Sequence, residues 1–209
     1  GPTQFKASQG PLASLLLACF VLMFLLAPGL WSQGPPSVNR KLMRAVFTDA
    51  KITIDGKLDE AAWQTSTPAT GFIQRSPKEG SPASEPTEVR VLYNKEYLYV
   101  AAYCYDRTPG EIVVRDINRD SPPNLQDDFG LVLDTFHDRR NGYIFAVGPF
   151  GGQRDTQFLG EGRENNRDWD AVWYAKGQMQ ADGWTVEIAV PFNSLRFSRE
   201  REQLWGVNF

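Results

Sequence analysis

From about residue 50 onward, apolar residues recur at every second position with polar residues between them, the spacing that gives a β-strand one buried face. Phe129, Leu131 and Leu133 alternate with Gly130, Val132 and Asp134, and Trp184, Val186 and Ile188 alternate with Thr185 and Glu187. This rhythm predicts strands over Val89–Tyr93, Tyr97–Tyr105, Ile112–Arg115, Phe129–Phe136, Tyr143–Val147, Ala171–Gln180, Trp184–Val190 and Leu204–Phe209. Turn chemistry punctuates them: Asn94, Lys95 and Glu96 read as a short hairpin connection, Asn141-Gly142 as a two-residue turn with positive φ, and Asp182-Gly183 as another. No long amphipathic helix interrupts the series, so an all-β, antiparallel β-sandwich of the jelly-roll type is expected. Trp63 closes a short helical turn over Asp59–Gln64 and is expected to join Phe129, Leu131, Leu133, Trp184, Val186 and Ile188 in one core between two sheets.

The first segment is of another kind. Leu12–Leu30 carries no charge and contains a continuous apolar run, Leu15–Leu26, bounded by Pro28 and Gly29. It reads as a hydrophobic helix that is either an export signal or a membrane anchor, and a run this short fits a signal better than a span of roughly 20 residues. The chain therefore divides into a signal or anchor (1–33), a Pro/Gly/Ser-rich linker (34–47) and a globular part (48–209). The expected location is outside the cytoplasm: periplasm, outer membrane or extracellular space. The last residues, Val207–Phe209, stop inside a predicted strand, so the sandwich is expected to continue in a longer protein.

Charge and rare residues narrow the chemistry. A net charge of -3 without any basic run argues against nucleic acid, whose phosphates are bound through clustered Lys and Arg. Beyond the signal only Cys104 remains, inside an apolar strand and expected as a buried thiol, and His137 is the single histidine, which excludes a Cys/His metal centre. Acidic residues crowd the second half. Asp127 and Asp128 are neighbours on a strand start and point to opposite faces, so they cannot form the facing carboxylate pair of a glycosidase, about 5 to 9.5 Å apart. Asp168 and Asp170, either side of Trp169, are a candidate calcium pair, since calcium takes about six to eight oxygens from carboxylates, carbonyls and water. Sugars have apolar ring faces and polar rims, so a sugar site joins an aromatic platform to amide, carboxylate and guanidinium groups. Trp169, Gln153, Arg154, Asp155, Tyr143 and Arg139 offer that combination, with Trp173, Tyr174 and Arg90 as further candidates.

Five stretches together, IDGKLDEAAW (Ile54–Trp63), EVRVLYNKEYLYVAAYCYD (Glu88–Asp106), DDFGLVLDTFHDRRNGYIFAV (Asp127–Val147), DWDAVWYAK (Asp168–Lys176) and DGWTVEIAVPFNSLRF (Asp182–Phe197), resemble a family 9 carbohydrate-binding module. The likeness is closest to the divergent branch at the N-terminus of large bacterial secreted or outer-membrane proteins with a C-terminal β-barrel. It implies a jelly-roll sandwich, a polysaccharide or oligosaccharide ligand, and a parent protein linked to polysaccharide catabolism, an O-glycosyl hydrolase among the options. Members of the family hold a terminal sugar between two tryptophans. The first of these corresponds here to Asn124 and Leu125, the family's charged strand residue to Gly130, and its arginine on the next strand to a position near Phe145 and Ala146. Two functions stay open on this reading: a non-catalytic sugar-binding module of an exported protein, or a periplasmic interaction domain of an outer-membrane β-barrel protein in which the sugar cleft has been lost.

Overall fold

The structure, a computed structural model, describes residues 41–120 and 126–209, so Leu12–Leu30, Asn124 and Leu125 lie outside the described residues. Met43–Phe209 forms the sandwich. Its strands are β1 (Val46–Phe47), β2 (Thr87–Tyr93), β3 (Tyr97–Tyr105), β4 (Phe129–Asp134), β5 (Gly142–Val147), β6 (Gln153–Leu159), β7 (Glu164–Asn166), β8 (Tyr174–Gln180), β9 (Gly183–Pro191) and β10 (Gly206–Asn208). The first sheet has the order β1-β2-β3-β9-β8 and the second β10-β4-β5-β6-β7. All these pairs are antiparallel apart from β1 and β2, which run parallel. Among the described residues no helix is long and apolar enough to cross a membrane.

The alternation seen in the sequence becomes the inner layer. Phe129, Leu131 and Leu133 of β4, Tyr143, Phe145 and Val147 of β5, and Trp184, Val186 and Ile188 of β9 form one buried cluster between the sheets. Trp63 does not share it. That indole is fully buried in a second cluster with Ile52, Leu92, Tyr99, Ala101 and Ala189, on the outer side of the first sheet. The reason lies in strand parity: Tyr99 and Ala101 alternate with the inward Val100 and Ala102, and the segment Ile52–Trp63 lies across them as a cover. β9 is consequently buried along its whole length, on both faces.

Connections follow the predicted places more closely than the predicted types. Asn94 makes the β2–β3 turn by accepting the backbone N–H groups of Glu96 and Tyr97, each at 2.8 Å. The helical turn at Trp63 is a short 3-10 stretch, Ala61–Thr65. Between β4 and β5 the expected two-residue Asn141-Gly142 turn is replaced by the longer loop 135–141, in which His137 and Arg139 carry the positive φ angles. Carboxylates organise this loop: Asp134 accepts the N–H groups of Asp138 and Arg139, and Asp138 those of Arg140 and Asn141. Gly142 is a strand residue whose missing Cβ lets the Phe158 ring and the Leu133 carbonyl close in. The β8–β9 turn is shifted by one residue, with Gln180 paired to Gly183 and Ala181-Asp182 between them.

Several expectations on strands need correction. Ile112–Arg115 is no strand; Val113 exchanges hydrogen bonds with Asp127, and Gln126 accepts from the N–H groups of Arg115 and Asp116, so side chains replace a ladder there. β6 and β7 were not expected, because QRDTQFL and ENN show too little apolar alternation. Pairing with β5 makes the polar β6 a strand regardless, and β7 pairs in turn on β6.

Candidate functional site

Register assigns each candidate side chain to a face. Val147, Phe145 and Tyr143 of β5 are paired with Gln153, Asp155 and Gln157 of β6, so Asp155 shares the inner side with Phe145, while Arg154 stands opposite Ala146 on the outer side. Tyr143 is 5% and Asp155 2% exposed. Tyr143 accepts the Arg196 N–H at 3.0 Å through its hydroxyl, and its ring lies 4.9 Å from that of Trp169. Trp169 is half-buried, packed also against Phe145 at the margin of the core. Arg139 is exposed in the loop 135–141, at the opposite end of β5 from Gln153. The structure thus turns Gln153 inward to the Ala175 carbonyl, leaves Arg154 on the outer side, seats Tyr143, Asp155 and Trp169 in or against the core, and sets Arg139 apart.

Arg119, which sequence reasoning missed, organises this end of the sandwich. Its Nη2 donates to Asp155 at 2.7 Å, to Asp170, and to the Ala171 carbonyl at 3.2 Å, while Nη1 reaches Gln153 at 3.4 Å. Asp155 also accepts the Ala171 N–H at 2.7 Å. Burial pushes the Asp155 carboxyl above its ordinary pKa, against the pull of that N–H and of Arg119. Arg119 left no signal in the sequence because the partners of its Nη1 and Nη2 are more than 30 residues away and no periodicity marks them. The candidate calcium pair fares differently. Asp170 is engaged by Arg119, and among the described residues no group of three or more His, Cys, Asp or Glu could hold a metal ion.

On the outer face of the second sheet, Asp128 and Arg154 pair at 2.9 Å beside a small depression that Asn118, Gln126 and Gln153 also line, with Ala146, Gly148 and Gly152 as its low floor. Gly130 is paired with Ala146, so the two positions matched to the family's charged residue and arginine both lie on this face.

The first sheet carries a different outer face. Its centre is Glu187 of β9, wholly buried. One carboxylate oxygen accepts the N–H groups of Asp55 (3.0 Å) and Gly56 (2.9 Å), and the other the Trp63 indole N–H (3.1 Å). Burial drives its pKa up to about 7, with the nearby Glu60 acting in the same direction and the three donors opposing it. Gly56 has φ +87, and a Cβ there would come within 3.0 Å of Gln178, so glycine lets the turn reach the carboxylate. Thr185 donates to the Gly56 carbonyl at 2.6 Å and pins the same turn. Beside this pinned segment the sheet face stays open as a groove of about 480 Å³, with Ala101 at its covered edge and Tyr103, Tyr105, Thr185, Gln178 and Gln180 among its lining.

Comparison with known proteins places the architecture. No protein-family model matches the chain, and no curated protein does. Among solved structures it is similar to a family 9 carbohydrate-binding module from Caldicellulosiruptor kristjanssonii in complex with glucose, at 19% identity and TM-score 0.54, covering 78% of this chain and 75% of that one. It is also similar to a family 9 module from the same organism in complex with cellotriose, at 20% identity and TM-score 0.50, covering 71% and 67%. The chain has the β-sandwich fold of family 9 carbohydrate-binding modules, as the resemblance implied.

Proposed function

We propose that this chain is a non-catalytic carbohydrate-binding module of an exported protein, and that it receives an oligosaccharide or the end of a polysaccharide. The observation that carries the reading is the fold it shares with two modules solved with glucose and cellotriose. The outer face of the second sheet adds chemistry to it. Arg154, across from Ala146 on the neighbouring strand, supplies the guanidinium that the family keeps one strand earlier, and Asp128, Gln126 and Asn118 add carboxylate and amide groups for sugar hydroxyls. Tyr143, Asp155 and Trp169 act as the frame behind this face, through Arg119 and the aromatic cluster. Export by the segment 1–33, membrane attachment through it if it is retained, and a β-barrel elsewhere in the same protein belong to this proposal.

A second reading, a periplasmic interaction domain without a sugar cleft, is favoured by one feature: no aromatic side chain lines the depression among the described residues. Affinity electrophoresis of the full chain through soluble glucans, xylans and mannans separates the two. Retardation by at least one polysaccharide, weakened about tenfold or more in Arg154→Ala with an unchanged melting temperature, is the expected result. Free migration through the whole panel would select the interaction domain.

A further inference from the structure

The outer face of the first sheet divides in two. Ile52–Trp63 covers one half, burying Tyr99, Ala101 and Ala189. The other half is the groove of about 480 Å³, whose side chains come in rows across the sheet: Tyr105, Gly183 and Gln180 in one, Glu88, Tyr103, Thr185 and Gln178 in the next. Large rings and long amides therefore flank small central residues, which leaves a trough between β3 and β8.

Its chemistry is particular. The Tyr103 and Tyr105 rings stack at 4.3 Å and 22°, and the Tyr103 hydroxyl donates to Asp182, so the platform is fixed before any ligand arrives. Gln180 is oriented by its bond to Thr185 at 3.0 Å. Arg90 meets Glu88 at 3.3 Å through Nη2, and its Nη1 is buried without an acceptor among the described residues. The charges around the groove balance, Lys57 and Arg90 against Asp59 and Glu88, which suits neither a phosphate chain nor a strongly charged peptide. None of the large exposed apolar residues lines it, so it lacks the apolar centre of a protein interface.

Resting on the carbohydrate reading above, we propose that this groove is a second sugar site, separate from the Arg154 face, which takes an extended, uncharged oligosaccharide along the tyrosine pair. Sugar rings stack on Tyr103 and Tyr105, while Gln178 and Gln180 meet their hydroxyls. A trough open along its length admits internal stretches of a chain.

The test is calorimetric titration of the full chain with cellohexaose, xylohexaose, mannohexaose and maltohexaose and with the corresponding disaccharides. At least one hexaose is expected to bind about tenfold or more tightly than its disaccharide, and Tyr105→Ala and, separately, Gln180→Ala to weaken it by about tenfold each. Hydroxyl-radical footprinting of the unaltered chain reads the same point without any variant: saturating hexaose should protect Tyr103 and Tyr105. A hexaose that binds but neither protects these tyrosines nor responds to the two variants overturns the groove, and leaves sugar binding at Arg154 standing. Failure of every sugar to bind overturns both.

Discussion

The two outer faces of the sandwich are built from the same kind of strand and have opposite characters. On the first sheet a cover segment, a buried carboxylate and a full-length buried strand leave half the face sealed and half open beside it. On the second sheet the outer face has small residues, Gly130 and Ala146, and its charged groups are already paired with each other. The first face carries the buried hydrogen bond between Trp63 and Glu187, and the second is backed by the Arg119 clamp, whose ion pairs are partly solvated. The difference teaches that a sheet's outer face becomes a groove only where something else is anchored on it firmly enough to form a wall.

The comparison breaks most easily at Trp63. Trp63→Ala is expected to cost about 3–5 kcal/mol in denaturant unfolding, since it empties a fully buried site and strips Glu187 of a donor. Leu131→Ala, in the core common to both faces, should cost about 2–5 kcal/mol. A loss confined to one face by Trp63→Ala and shared by Leu131→Ala, read by footprinting of each, would confirm that the faces have separate supports.

Glu187 sharpens the contrast through pH. Its folded pKa of about 7 exceeds the ordinary carboxylate value, so the folded state holds the proton more tightly than the unfolded one. The stabilisation is therefore fully present below the unfolded pKa of about 4.5 and is lost as pH rises through about 7, a change of at most roughly 3 kcal/mol. Asp155, also raised, acts in the same direction. Urea midpoints across this window should fall with pH in the parent and fall much less in Glu187→Gln. The amide itself should lose about 1–3 kcal/mol at low pH, because its NH2 must face either the Trp63 indole or the two backbone donors.

The remaining effects are smaller. Trp169→Ala should lower stability by about 1–2 kcal/mol, as expected of a half-buried ring at the edge of the core, and a melting temperature that does not move would free Trp169 for ligand. Arg154→Ala should change stability by less than about 0.5 kcal/mol while reducing sugar retention, since its pair with Asp128 is partly exposed.

Much of this was legible in the chain. Period-two runs gave β2, β3, β4, β5 and β9 to within a few residues, because each buries one regular face in the common core. β6 was hidden because its inward residues are Gln153, Asp155 and Gln157, and the burial of Asp155 is made tolerable only by Arg119 and Ala171, which local pattern cannot reveal. Trp63 was correctly read as buried and assigned to the wrong side of the sheet, since nothing local tells which face a preceding segment will cover. Of the candidate site, Arg154 alone of the β6 pair reaches the outer face, where it meets Asp128, while Gln153 turns inward. Glu187, which looks like an outward polar position between Val186 and Ile188, could have been suspected only from the IDGKLDEAAW stretch that covers it.

The buried carboxylate of β9 also has a thermal signature. Near pH 6 the folded chain holds the Glu187 proton and the unfolded chain has lost it, so each molecule that melts hands about one proton to the buffer. The heat absorbed in a scanning calorimeter then includes the buffer's own ionisation heat, and melts in phosphate and in an amine buffer at one pH should differ in apparent enthalpy by that amount. Glu187 thereby turns the unfolding of this sandwich into a proton-release reaction that can be counted by changing the buffer alone.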